Sequence, residues 1–308
     1  MADFELEVTE EDAGERLDVV LTRRIPSLSR ARAKVLVEDG AARIGGRRAK
    51  KSQLLALGDR VVVESLPAPV EFHATPDPAL DLVVVRETDR YVIVDKPAGM
   101  PSHPLQEGEL GTLAGALVLR YPEMRGFGYS KREPGILHRL DTDTSGLMLA
   151  ARSKEAFDQL RAQLKAGEIE KRYLARVVGE VAAPLRIETP IAKDPRDRRR
   201  ARACVDPREI KRLGAQSALT EVLSSRPAAY GSLVEVRANH ARRHQIRVHL
   251  ASIGHPLLGD TLYGGPALEG VPHHLLHASF IRVDGVVTES SDWKYRDFSS
   301  QSPLGSRR

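Results

Sequence analysis

"GILHRLDTDTSGLMLAARS", residues Gly135 to Ser153, places one carboxylate, Asp141, behind a His-Arg pair and ahead of a Thr-Ser-Gly turn, with an apolar run on each side. Working outward, "SKEAFDQLRAQLKAGE" reads as an amphipathic helix: Ser153 caps it, Phe157, Leu160 and Leu164 share a side, and Gly167 ends it. "KRYLARVVGEV" (Lys171–Val181) and "SLVEVRA" read as strands. Upstream, the strand "LDLVVVRE" leads to "YVIVDKPAGMPSHP", where Lys96-Pro97-Ala98-Gly99 must turn. Short strands and loops alternate through the remainder. The pattern predicts an α+β fold built on a largely antiparallel sheet, without a repeat of solenoid period.

Composition bounds the answer. A chain of 308 residues exceeds the usual ~100–200 of one domain, so two are expected. Hydrophobic residues make up 41% and support a real core. No apolar stretch approaches the ~20 residues of a membrane helix, and the acidic start, "MADFELEVTEEDAGERL", is unlike a basic, apolar signal peptide. The single cysteine, Cys204, excludes an internal disulfide framework. These features predict a soluble cytoplasmic protein, expected to be a monomer.

The formal charge of +5 is unevenly spread. Arg23 to Arg60 holds eleven Lys/Arg against Glu38, Asp39 and Asp59, whereas the first eighteen residues hold eight acids and only Arg16 as a base. "RDRRRARA" (Arg196–Ala203) and "ARRHQIRVH" (Ala241–His249) are further basic clusters. One such run is an ordinary solvated face; three point to nucleic acid, because neutralising phosphates releases counterions.

Residues 1–65 read as a small module. Leu17, Val20, Leu21 and Arg24 recur at helical spacing; Ser27 or Ser29 would cap a second helix that Gly40 stops. Gly45-Gly46 forms a hairpin turn, and Arg60–Glu64 is a strand. On the second helix Arg30, Arg32 and Lys34 alternate with Ala31, Ala33 and Val35, so the bases cannot all be buried; they are candidate phosphate contacts. Residues 66–78, rich in proline, read as a linker. A second domain is expected over 79–289, followed by a polar, disordered tail from 290 to 308.

No chemistry that needs a bound group has a closed signature. His138, Asp141 and Asp143, or "HHLLH" (His273, His274, His277), could supply metal ligands, but neither has a H-E-x-x-H or paired C-x-x-C spacing. "LLHASF" makes His277 a hydrogen-bonded core histidine. There is no G-x-G-x-x-G and no G-x-x-x-x-G-K-[ST], and Ser145 lacks a nucleophile elbow. Cys204 lies in an Arg-rich loop, where a depressed pKa is conceivable, but it lacks a partner motif. A carboxylate working without cofactor or metal remains. A buried, ionised Asp141 needs a cation within ~4–6 Å. Arg247, in the strand-like alternation of "RRHQIRVHL", must pair or face water and is the candidate. On pattern alone, such a pair is equally a plain buried salt bridge.

Two resemblances extend this reading. "RLD" (Arg16–Asp18), "SRARAKVLVEDG" (Ser29–Gly40) and "GDRVVV" (Gly58–Val63) resemble the S4 RNA-binding domain, although "ARIGG" departs from its usual Val-x-Val-Asn-Gly turn. "HRLDTDTSGLMLAARS" closely resembles the H-R-L-D-x-x-T-S-G-L motif of the RluA-type pseudouridine synthases. "YVIVDKPAGMPSHP", "EKRYLARVVG", "RRHQIRVHLASIGHPLLGDTLYGG" and "LHA" follow that family's other motifs in order. His240 and Ala241 replace its usual Thr-Gly, and "RVDGVVTESSDWKYRDF" departs from its usual last strand. The resemblance implies a cofactor-free isomerase that acts on structured RNA, chiefly 23S-type large-subunit ribosomal RNA. It makes Asp141 the catalytic aspartate, Tyr173 the base-stacking tyrosine, Arg247 the partner of Asp141, and Arg139 the side chain that helps fill the space of an extruded nucleotide. Lys96, His138, Arg242, His244 and Gln245 are further candidate substrate contacts. A transfer-RNA enzyme, a non-catalytic RNA-binding or ribosome-assembly factor, and a metal-dependent phosphoryl-transfer enzyme using His138, Asp141 and Asp143 are the alternatives.

Overall fold

The computed structural model describes residues 4–25, 28, 30–50, 52–64, 66, 71–240, 242–290 and 293, side chains 30 and 31 excepted. Two compact units emerge, Met1–Glu71 and Phe72–Arg308. Among the described residues no helix is long and apolar enough to cross a membrane.

The smaller unit runs β1 (Phe4–Glu7), α1 (Leu17–Arg24), α2 (Arg30–Glu38), β2 (Ala42–Ile44), β3 (Arg47–Arg48) and β4 (Arg60–Val63), with strand order β1-β4-β2-β3. Its core joins Leu17, Val20 and Leu21 of α1 to Ala33, Leu36 and Val37 of α2 and to Val61 and Val63 of β4. Both residues of the β2–β3 turn need positive φ (Gly45 at 55°, Gly46 at 77°), which is why two glycines stand there. Gly40, φ 79°, follows α2 as expected. Ser27 and Ser29 lie outside the described residues, as does the side chain of Arg30. Lys34 is exposed and Arg32 half-buried.

The larger unit comprises β5 (Val83–Glu87), β6 (Tyr91–Lys96), α3 (Leu113–Arg120), β7 (Ser145–Ala151), α4 (Lys154–Ala166), β8 (Glu170–Val178), β9 (Leu185–Ile187), β10 (Ile191–Lys193), β11 (Ala201–Ala203), α5 (Pro207–Leu213), β12 (Thr220–Ala228), β13 (Gly231–Arg237), α6 (Gln245–Ser252), β14 (Leu276–Val283) and β15 (Val286–Glu289). Nine strands form one sheet in the order β5-β6-β7-β14-β8-β13-β12-β9, with β15 beside β14; β10 and β11 make a separate hairpin. Every ladder is antiparallel except β7 with β14, which meet in parallel over two register pairs, His277 with Ser145 and Ala278 with Gly146. The α+β, antiparallel-dominated architecture is the expected one.

Local signals hold where they were strongest. The Ser153 hydroxyl accepts the Ala156 amide at 3.1 Å, Phe157 and Leu160 are buried, and Gly167 closes α4 at φ 77°. Three expectations need correction. The stretch holding Arg247 is helix α6, not a strand. Residues Gln245 to Leu250 are all buried, so no polar face reveals the helical period. The second half of the expected linker belongs to the larger unit: Ala74 is in its core, and Asp77 is buried and accepts the Gly111 amide at 2.8 Å. In the expected tail, Ser290 and Trp293 are packed, the indole stacking on His277 at 5.6 Å; residues 291, 292 and 294–308 lie outside the described ones. Cys204 is buried, and burial raises its thiol pKa rather than depressing it.

Candidate active site

The Asp141 turn is braced from two directions. The Lys96 ammonium, fully buried at the end of β6, donates to the carbonyls of Pro97, Met100 and Thr142 at 2.9, 2.8 and 3.0 Å. The Gly99 amide donates to the same Thr142 carbonyl at 2.9 Å. Burial lowers the Lys96 pKa to about 8, against the opposing pull of Asp141, Asp143 and Asp95. Lys96 is therefore a strut for this loop, with its three protons committed, and not a free contact for substrate.

The Thr-Ser-Gly turn supplies the second brace. Thr144 Oγ1 lies 2.8 Å from His274 Nε2, and Ser145 Oγ lies 2.9 Å from His277 Nδ1. Gly146, φ 112°, lets β7 approach β14: a Cβ there would sit 2.3 Å from the Ala278 carbonyl oxygen. Each residue of the motif thus fixes Asp141 relative to segment 274–278. Both histidines are held neutral by burial, His274 at about 3 and His277 at about 4. His277 is the hydrogen-bonded core histidine expected, its Nε2 lying 2.9 Å from Ser290 Oγ.

Arg247 comes from α6. Its Nη1 donates to Asp141 Oδ2 at 3.0 Å, while Nε and Nη2 grip Asp260 in a bidentate pair at 2.7 and 2.8 Å. Arg247 and Asp260 side chains are 8% and 1% exposed; that of Asp141 is 25% exposed. Burial alone would lower the Arg247 pKa, but the hydrogen bonds and charge of Asp260, joined by those of Asp141, raise it. The guanidinium also lies 5.0 Å from the Tyr263 ring centroid. At the N-cap of α6, His244 takes a left-handed backbone (φ 55°), places Nδ1 2.8 Å from the Tyr263 hydroxyl, and brings Nε2 to 3.8 Å from Asp141 Oδ2. Burial lowers its pKa although Asp141 pulls the other way.

Asp141, His244 and Arg247 line a cleft of about 780 Å³ together with Asp260 and His274. The same cleft is lined by Arg199 and Arg200 from the Arg196–Ala203 run and by Arg243 from the 241–249 run, so two charge clusters apart in sequence meet here. Tyr173, on β8, is 4% exposed, and burial, helped by the Asp141 charge, raises its pKa; the phenol keeps its proton at neutral pH.

Other candidates have partners within the protein. His138 Nε2 accepts the Leu149 amide at 3.1 Å, pinning the chain ahead of Asp141 to β7, and burial pushes its pKa well down. Gln245, 2% exposed, donates to the Leu219 carbonyl at 2.8 Å and accepts the Arg242 amide at 2.9 Å. Arg242 is exposed and donates to the Ser217 carbonyl at 3.4 Å. Arg139 is exposed and pairs with buried Glu133 at 3.1 Å. His138, Asp141 and Asp143 do not converge; among the described residues no three His, Cys, Asp or Glu side chains gather as metal ligands would. Asp260 and Tyr263 escaped the sequence reading, and His274 was weighed there only as a metal ligand. The available signal was Arg247 itself, whose five N–H donors exceed what one carboxylate can satisfy in a buried site.

Known proteins resemble this chain in sequence and fold. Residues 90–252 match the RNA pseudouridylate synthase family, and residues 15–61 match the S4 domain. The chain is 36% identical over 259 residues to the ribosomal large subunit pseudouridine synthase D of Xanthomonas campestris pv. campestris, covering 84% of this chain and 74% of that one. A protein of the same name from Pseudomonas aeruginosa is 31% identical over 295 residues, covering 92% and 88%. The structure of human RNA Pseudouridylate Synthase Domain Containing 1 superposes with a TM-score of 0.52 at 25% identity, covering 70% of this chain and 84% of that one. A family match over more than half of the chain, which includes the carboxylate that Arg247 holds, leads to one conclusion: the protein belongs to the RNA pseudouridine synthases.

Proposed function

We propose that the protein isomerises uridine to pseudouridine in large-subunit ribosomal RNA, with Asp141 as the reacting carboxylate. The observation that carries this is the division of labour around Arg247: Asp260 is sealed beneath it, while Asp141 keeps a quarter of its surface open to the cleft. The isomerisation breaks the N1–C1′ bond, turns the base and joins C5 to C1′; N1 gains a proton and C5 loses one, so no cofactor is required. An ionised carboxylate fixed by a buried arginine suits attack at C1′, attack at C6, or removal of a C2′ proton. Tyr173 supports the base as a neutral ring. Its raised pKa keeps the phenol protonated, so Tyr173 can take the C5 proton only if its own hydroxyl proton first passes to another group. The uridine must leave its stack, at a cost of a few kcal/mol that is smallest in loops and bulges. The S4 module and the basic cleft supply phosphate contacts that offset this. The ribosomal substrate is supported by the relatives named for the large subunit.

Asp141→Asn tests the reading. The variant keeps shape and removes the charge. It should fold, bind RNA within about threefold of the parent, and form no pseudouridine in a carbodiimide-based map of total RNA from cells whose own gene is deleted. A folded, active Asp141→Asn protein would sink the carboxylate mechanism. Wild-type signal confined to transfer RNA would move the substrate.

A further inference from the structure

Most cations of the cleft wall already have partners. Arg247 is shared between Asp260 and Asp141. Arg199 is matched by Asp197 at 2.8 Å, and that carboxyl is lowered to about 2 by the hydrogen bonds from Arg199. Arg243 donates to the carbonyls of Arg198 and Arg199 at 3.0 and 2.9 Å, which fixes the tip of the β10–β11 hairpin. Arg200 differs. Among the described residues its guanidinium has no carboxylate within 4 Å and no hydrogen bond, and its buried Nε is unsatisfied; only the charge of Asp197, which Arg199 already grips, acts on it from further away.

Its backbone is nonetheless held. The Arg200 amide donates to the Asp197 carbonyl at 2.9 Å, its carbonyl accepts the Asp194 amide at 3.2 Å, and the next amide, Ala201, donates to the Tyr263 hydroxyl at 2.7 Å. The guanidinium lies 5.3 Å from the centroid of the Tyr263 ring, the same ring that Arg247 approaches to 5.0 Å. One aromatic ring thus sets the spacing between the arginine that holds Asp141 and an arginine that no carboxylate grips. A buried N–H left unbonded is unfavourable in the free protein and calls for an acceptor. A guanidinium fork fits the two free oxygens of a phosphodiester.

We propose that Arg200 is the seat for the backbone phosphate adjoining the uridine that reaches Asp141. The proposal rests on the functional reading above and adds a residue that fixes the register of the RNA strand. Arg243 acts through the hairpin as a positioning residue.

The test is binding of a fluorescein-labelled RNA hairpin with a loop uridine, followed by anisotropy over a KCl series, for the full chain and its variants. Arg200→Gln should weaken binding about tenfold and reduce the slope of log K against log[salt] by about 0.7–0.9. Arg200→Lys should recover the slope and part of the affinity. Arg199→Gln, whose charge Asp197 already balances, should move the slope by less than half as much. An Arg200→Gln protein that melts like the parent and keeps its affinity and slope overturns the seat. So does an equal loss from Arg199→Gln, which would make the hairpin a diffuse basic surface. If the glutamine variant does not fold, the lysine variant decides: a folded Arg200→Lys protein with a diminished slope also overturns it. The two readings fail separately. Wild-type protein that makes no pseudouridine but shows the Arg200 slope change loses the chemistry and keeps the seat; active wild type without that change loses the seat alone.

Discussion

Asp141 and Asp260 share one arginine for different reasons. Asp260 is almost wholly excluded from water and receives two near-parallel N–H donors, so removing its charge leaves Arg247 buried against a weaker acceptor. Asp141 offers one bond from a partly open position. Breaking a buried pair costs ~3–5 kcal/mol, whereas solvent-screened pairs contribute ~1 kcal/mol or less. Asp260→Asn should therefore destabilise the protein by about 3 kcal/mol, since an amide oxygen still accepts one bond, and Asp141→Asn by about 1 kcal/mol or less. Both should be inactive, the first because Arg247 no longer orients Asp141, the second because the reacting charge is gone. Thermal or denaturant melts of the two variants check the ranking. Equal losses would make Asp141 a second structural anchor and favour the plain salt-bridge reading of the pair.

At the scale of elements, the Thr-Ser-Gly turn matters because β7 and β14 run parallel for only two residue pairs, at the point where the Asp141 turn ends. Gly146 permits that contact. In Gly146→Ala the new methyl would meet the Ala278 carbonyl oxygen and amide nitrogen at 2.3 and 2.5 Å, from a φ of 112° that alanine avoids. Backbone strain of ~1–3 kcal/mol and the overpacking add up to a loss of about 3 kcal/mol or more. Because Thr144 and Ser145 lose their histidine partners as the strands part, pseudouridine formation should fall with the melting temperature. An unchanged melt would show that the strands can separate freely at this point. The same elements show what the sequence could reveal. α4 was legible because cap, stripe and stop lie within its own residues. α6 was not, because tertiary burial of every face erased its period. Lys96 looked like a ligand-binding cation because only the fold brings three carbonyls to one ammonium. The Asp141–Arg247 pair was found through motif order; Asp260 needed the geometry of the guanidinium.

For the whole molecule, the two units should respond differently to acid. The larger one holds all ten histidines of the chain, and the smaller, residues 1–71, has none. Burial keeps His138, His249, His274 and His277 neutral in the folded state, with His274 at about 3 and His277 at about 4, against ~6.5 when unfolded. Below pH ~6.5 the unfolded chain therefore binds protons that the folded one refuses, and stability is lost as pH falls toward about 4. In the smaller unit, burial of Asp12 is outweighed by hydrogen bonds from Arg24 and Arg23, which hold its carboxyl at about 2. A depressed carboxyl stabilises above its unfolded value of ~3.9 and loses that contribution only as pH falls through about 2. The chain's only tryptophan, Trp293, is packed in the larger unit against His277, so its fluorescence follows that unit alone, while far-UV circular dichroism follows both. Between pH 7 and 4.5 the fluorescence-detected midpoint in urea should drop steadily, and a far-UV signal from the smaller unit should persist beyond it. Replacing His274 with Asn should flatten the fluorescence profile, because one of the rings that resists protonation is gone. A midpoint that stays level across this range would mean that these rings accept protons without unfolding, and coincident loss of both signals would mean that the units unfold as one.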